Sequence, residues 1–158
     1  MSLRDSWTLY EHPPGTKDWS LESYKEIGVF KSEEEIASLI RQMTKPKDMI
    51  SGSYLCFMRG STPPIYEDDS NKHGGALTIR IPNETSAGIW SSFVAHIVTD
   101  SIFYEKCELA SGIIISPKRG NIIIQVWTKE KVSDDILNPV LSSMLPSEVL
   151  YRSHYERL

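Results

Sequence analysis

The chain has 158 residues, a length that fits one domain with a sizeable core. Its content of 40% hydrophobic and 24% charged residues is that of a soluble globular protein, and a net charge of −4 argues against an affinity built on neutralising many phosphates. A disulfide scaffold is excluded by the presence of only 2 cysteines, Cys56 and Cys107, which sit in apolar contexts and read as buried free thiols of a reducing compartment. No apolar run approaches the roughly 20 residues of a membrane span, and the first residues lack the pattern of a secretory leader. A cytoplasmic protein is therefore expected.

Residues 6–11 read as a short strand. Residues 12–18, His-Pro-Pro-Gly-Thr-Lys-Asp, form a loop that delivers Trp19. Residues 24–30 alternate as a strand does. Ser32 then has the look of an N-cap, with Glu35 three positions on as its capping-box partner. Ile36, Leu39, Ile40 and Met43 supply the apolar face of a helix over 33–43. Strands follow at 53–59 and 76–81. Ile89, Trp90, Phe93, Val94 and Ile97 recur at helical spacing, so a second helix runs over about 86–99. Two isoleucine-rich runs, 113–116 and 122–127, flank Pro117-Lys118-Arg119-Gly120-Asn121 and predict a hairpin with a basic tip. A third helix is expected over 133–144, capped by Ser133. Pro139 lies too deep for its first turn, so a kink or a late start is implied. Residues 148–151 complete the pattern as a strand. With no repeat or linker, residues 1–158 read as a single α+β domain, an antiparallel sheet with helices on one face.

The run Pro64-Ile65-Tyr66-Glu67-Asp68, followed by Asn71-Lys72-His73-Gly74-Gly75, carries the clearest chemistry. The Glu67 carboxylate can accept two hydrogen bonds from the N1–H and N2–H₂ edge of guanine. The Tyr66 ring beside it can stack on the base, and the glycines let the backbone turn without steric cost. A 7-methylated guanine is cationic, and a flat cation between two electron-rich rings is held by cation–π attraction.

The ordered set of features resembles the eukaryotic translation initiation factor 4E family over nearly the whole chain. Trp7 and Trp19 resemble two early tryptophans of that family. The 64–68 and 71–75 runs are similar to its Pro-x-Trp-Glu-Asp and Asn-x-x-Gly-Gly segments. Trp90, Gly112, Trp127 and Tyr151-Arg152-Ser153-His154 follow in the family's order. The resemblance implies a curved antiparallel sheet of about eight strands with three helices on its convex face. It also implies binding of the 7-methylguanosine cap of messenger RNA, without catalysis, cofactor or metal. Trp19 and Tyr66 would sandwich the base. Glu67 would read its edge, the Tyr66 amide would donate to O6, and Trp127 would contact the methyl group. Lys118 and Arg119 would meet the phosphates, and His154 would lie at the rim.

Departures from the family accompany these matches. Tyr66 replaces a tryptophan, and the basic side chains of the hairpin compress into Lys118-Arg119. The sequence stops at Leu158, soon after His154, so much of the family's C-terminal loop is expected to be missing. On the helical face, Ala37 stands where the family has a tryptophan, and Ser91, Val94 and Ala95 replace larger apolar side chains. No His-Pro precedes Trp7. Binding of the family's usual Tyr-x-x-x-x-Leu-Φ scaffold and repressor peptides would be altered, because interface energy concentrates in large buried anchors.

Two other readings compete. One is a 4E-like interaction or decoy protein that represses or stores messages through a changed partner surface. The other is a metal-dependent nucleotide phosphoesterase using Glu67, Asp68, Asp69 and His73 as an oxygen-rich cluster. Consecutive carboxylates on an extended backbone point to opposite faces, and the chain has no P-loop or nucleophile elbow.

Overall fold

The computed structural model describes residues 1–43, 52–146 and 148–157. Within them lie strands β1 (Ser2–His12), β2 (Lys25–Ser32), β3 (Tyr54–Arg59), β4 (Gly75–Pro82), β5 (Ala110–Lys118), β6 (Asn121–Thr128) and β7 (Leu150–Ser153), and helices α1 (Glu33–Gln42), α2 (Ser86–Val98) and α3 (Pro139–Ser142). All strand pairs are antiparallel, in the order β2-β1-β3-β5-β6-β4-β7, and the curved sheet stays open. These seven strands are the ones expected from the sequence, the last two residues later than expected; the eighth that the resemblance implies is not found among the described residues.

Side-chain alternation divides the molecule. Along β6, Ile122, Ile124 and Val126 point to the helical side and join the main core, with Leu77, Ile79 and Ile81 of β4 and Ile113 and Ile115 of β5. The helices close that face. Ile89, Trp90, Phe93, Val94 and Ile97 of α2 are all buried there. The opposite face carries a second, smaller core of Cys56, Met58, Ala76, Ile114 and Trp127, against which Tyr10, Tyr24, Tyr54 and Tyr66 pack.

Local signals explain the element ends. Ser32 caps α1 as expected, its Oγ accepting from the Glu35 N–H at 3.2 Å. Glu35 reaches back to the Lys31 N–H at 3.4 Å, one residue before the cap. The β5–β6 hairpin closes on Arg119 and Gly120, both at positive φ (47° and 80°), the two-residue turn whose twist matches that of the strands. The third helix is much shorter than the pattern predicts. It spans Pro139–Ser142, and its cap is Asn138, whose side chain accepts from the Val140 N–H at 2.9 Å. Proline suits the first helical position, where its missing N–H is not needed. Ser133 instead donates to Asp135 in the preceding loop.

Gly74 and Gly75 have an unexpected role. Neither adopts positive φ, so neither is a turn glycine. They are small because other backbone lies against them: a Cβ on Gly74 would sit 1.6 Å from the Thr128 carbonyl oxygen, and one on Gly75 would sit 2.1 Å from that of Arg152. Close packing of β4 between β6 and β7 requires both.

One buried cation ties the strands to the loops. Arg59, at the end of β3, pairs with Asp5 at 2.7 Å and Asp100 at 3.0 Å. It also donates to the carbonyls of Ala110 and Cys107, and its guanidinium lies 4.6 Å from the centroid of the buried Trp7 ring. Removing the guanidinium strands two carbonyls and leaves Asp5 and Asp100 only the longer contacts of Arg4, at 3.9 and 3.8 Å. In urea unfolding, Arg59→Ala is expected to lose about 3 kcal/mol, the low end for a broken buried ion pair because Asp5 and Asp100 keep some water. Arg59→Lys should recover only part of this, since it lacks the planar fork. A loss below about 1 kcal/mol in Arg59→Ala would contradict the assignment.

Candidate functional site

A pocket of about 330 Å³ opens on the face opposite the helices. Trp19, Tyr66, Glu67 and Trp127, which lie far apart in sequence, all line it. Tyr24, Tyr54, Cys56 and Gln125 complete its walls and floor.

Trp19 leaves β1 on the loop after His12 and is 43% exposed. One face of its indole is covered. The His12 ring stacks on it at a centroid distance of 3.7 Å and an interplanar angle of 3°. His12 is itself buried, and its Nε2 lies 2.7 Å from the Asp18 carbonyl oxygen. A carbonyl only accepts, so Nε2 carries the proton. Asp18 is fixed in turn by the Ser20 N–H and Oγ, which both donate to its carboxylate and lower its pKa. Tyr54 tilts against Trp19 at 5.0 Å. The wall is thus held by contacts within the protein.

Tyr66 and Glu67 ride on the loop between β3 and β4. Buried Asn71 organises that loop, its Nδ2 donating to the carbonyls of Pro63 and Ile65, both at 2.8 Å. Asp68 closes a turn by accepting from the Ser70 N–H at 3.0 Å, and Asp69 pairs with Lys72 at 2.7 Å. These two carboxylates are thus engaged within the loop itself. Among the described residues, no three His, Cys, Asp or Glu side chains gather to hold a metal ion. Glu67 remains exposed at the pocket mouth.

Trp127 is 5% exposed and forms part of the floor, its Nε1–H donating to the Gln125 side-chain oxygen at 3.1 Å. Burial pushes the pKa of the Cys56 thiol well up. The Tyr24 phenol is also raised, first by burial, then by its neighbours Cys56 and Glu67. Both groups stay protonated at neutral pH, so Glu67 is the one carboxylate in an otherwise aromatic and uncharged lining.

Several expected site residues stand elsewhere. His154 is not a rim residue. It is fully buried, stacked on Tyr66 at 5.8 Å and edge-on to Trp127 at 4.7 Å, so it holds both rings from behind. Lys118 and Arg119 separate. Lys118 lines a neighbouring cleft, whereas Arg119 sits in the turn and lines neither cleft. On the helical side, Ala37 and Ala95 border a shallow groove of about 210 Å³ between α1 and α2. Val94 is 3% exposed and belongs to the core, while Ser91 bonds back to the Gly88 carbonyl and does not line the groove. His12 escapes sequence reading, and Asn71 is marked there only as part of a motif, because each acts through a contact formed only in the fold.

The family model described as eukaryotic initiation factor 4E matches residues 2–156. The chain is 26% identical over 132 residues to the eukaryotic translation initiation factor 4E of Eremothecium gossypii, covering 80% of this chain and 62% of that protein. It spans between 50% and 62% of the length of three such curated relatives. The Caenorhabditis elegans eIF4E-3 in complex with the 4E-binding protein Mextli superposes with a TM-score of 0.84 at 18% identity, covering 99% of this chain and 94% of that one. Ascaris suum eIF4E-3, solved with m7G cap, superposes with a TM-score of 0.80 at 18% identity, covering 97% and 91%. The fold, the ordered motifs and the match across residues 2–156 together make this chain a member of the eukaryotic initiation factor 4E family.

Proposed function

We propose that this protein binds the 7-methylguanosine 5′ cap of messenger RNA, acting in the cytoplasm in translation initiation or its control, as a binding protein rather than an enzyme. The observation that carries this reading is the convergence of Trp19, Tyr66, Glu67 and Trp127 on one pocket. The base enters between Trp19 and Tyr66. Its positive charge, created by methylation, is attracted to the two ring faces. Glu67 accepts from the guanine N1–H and N2–H₂ edge, a charge-assisted pair that gains strength as the flanking rings exclude water. Trp127 lies below, where the methyl group arrives. The family match and a neighbour solved with m7G cap support the same ligand.

Tryptophan fluorescence should be quenched by 7-methyl-GTP and far less by GTP. Glu67→Ala is expected to lose about 2–5 kcal/mol of binding, the cost of removing one partner of a desolvated charged hydrogen bond. Unchanged affinity in that variant would overturn the site. His12→Ala should weaken 7-methyl-GTP by about 1 kcal/mol through loss of the ring that backs Trp19, while His12→Phe should largely restore it. An effect on thermal stability alone, with the affinity intact, would limit His12 to a structural role.

The helical face supports a second reading of the same protein. Neighbouring structures carry Mextli and 4E-BP as partners. Here Ala37 and Ala95 border the groove between α1 and α2, so its apolar lining is reduced to Ile36, Ile40 and Val98 with no aromatic anchor. A cap binder with this surface would withhold messages from the usual scaffold rather than recruit it. Calorimetric titration with a Tyr-x-x-x-x-Leu-Φ peptide should therefore give weak or no binding. Nanomolar binding would restore the recruiting role.

A further inference from the structure

His12 ends β1 on the pocket side of the sheet, opposite Tyr54 of β3. It is 1% exposed, a polar ring withdrawn from water. Its centroid distance to Trp19 is 3.7 Å and the planes are 3° apart, so the two rings overlap almost fully. Neutral aromatic rings prefer an offset or an edge-on approach to such a sandwich. A cation seated over a π-face has an electrostatic reason to adopt it. The stack thus accommodates an imidazolium as well as an imidazole. In either form Nε2–H donates to the Asp18 carbonyl, and the second proton goes to Nδ1.

The groups around this ring hold their own charge steady near neutrality. Tyr24, at the start of β2, meets His12 edge-on at 4.9 Å, and Tyr54 meets it at 6.2 Å. Tyr10 lies two residues earlier on the same face of β1, opposite Cys56. Phenols and thiols titrate above neutral pH, and burial holds Tyr10, Tyr24 and Cys56 higher still. Asp18 is the nearby carboxylate of the loop. The Ser20 hydrogen bonds, and then the attraction of His12, keep it ionised. Glu11 points to the helical side, opposite Leu55 of the main core. Glu67 shares the pocket lining with Trp19. Histidine is the side chain type that ordinarily changes charge between about pH 5 and 8.

We propose that His12 sets the charge preference of the base slot, acting through Trp19 without touching the base. A neutral imidazole leaves the π-electrons of the indole to a cationic guest on the other face. An imidazolium draws on the same electrons from behind. It would also stand roughly 7 Å from the guest ring, two stacking separations, inside the screening length of about 8 Å at physiological salt. Two cations on one indole repel each other, whereas an unmethylated, neutral guanine is spared. The preference for the methylated base is therefore complete above the histidine range and is lost as pH falls through it. By the same linkage, a bound cationic base expels the second proton from His12. This inference rests on the base-pocket reading above and adds to it the residue that determines selectivity.

The test measures the ratio of 7-methyl-GTP to GTP affinity by tryptophan fluorescence titration, in wild type, His12→Phe and His12→Gln. Phenylalanine keeps the ring and glutamine keeps a donor for the Asp18 carbonyl, and neither titrates. Ionisation of the triphosphate is common to both ligands, and that of Glu67 to all three proteins. From about pH 7 to about pH 5 the wild-type ratio should fall about tenfold, while both variants change far less. Calorimetry of the wild type at about pH 6, in two buffers of different ionisation enthalpy, should show more proton release with 7-methyl-GTP than with GTP. A wild-type ratio that stays level, a fall of equal size in the variants, or equal proton release with the two nucleotides would overturn the proposal. Failure of the base pocket looks different. All three proteins would then bind 7-methyl-GTP and GTP alike at neutral pH, whereas a high ratio that ignores pH removes the role of His12 and leaves the pocket standing.

Discussion

A side chain on a strand serves one face of its sheet and cannot serve the other, and the whole molecule depends on how that constraint is met. β6 meets it residue by residue. Ile122, Ile124 and Val126 go to the helical core, while Ile123, Gln125 and Trp127 go to the opposite face. The same six positions therefore stabilise the domain and build the floor of its site. A shift of one residue in register would exchange the two sets and destroy both. The close approach of β4 to its neighbours at Gly74 and Gly75 holds the register at the end nearest the pocket.

The strands supply the floor, but loops supply the walls, and loops are ordinarily the mobile parts of a domain. Here each wall is tied down by a polar side chain withdrawn from water. His12 carries Trp19 and bonds to the Asp18 carbonyl. Asn71 gathers the carbonyls of Pro63 and Ile65 beneath Tyr66. His154 then bridges wall and floor through its contacts with Tyr66 and Trp127. A pocket formed before its ligand arrives spends less binding free energy on ordering side chains.

Much of this could be read from the sequence, and the limits have physical causes. All seven strands are expected from the sequence, by alternation or as apolar runs flanking a turn, and Trp19, Tyr66, Glu67 and Trp127 stand out by residue type in turn-rich or strand-end contexts. Val94 was expected on the partner surface with Ser91 and Ala95. The helical period instead turns it inward with Trp90 and Ile97, four before and three after, whose spacing already marks the buried stripe. The third helix was overextended because Ser133 resembles a cap, whereas Pro139 fixes the start and Asn138 provides the cap. Arg80 carries no signal in the sequence, since an isolated arginine on an alternating strand looks like an ordinary solvated position, and Arg152 is marked only as part of the 151–154 run. Only the register brings them together. His12 followed by two prolines reads as loop, and nothing in one dimension reveals the ring it stacks upon.

That stack also gives the site a direction. An indole in an open loop has two equivalent faces, and a planar guest could lie on either. His12 occupies one of them at van der Waals distance, which leaves the other face of Trp19 for a planar guest. The stack thus makes the two faces of the indole inequivalent, one spent on the protein and one open to a ring from outside.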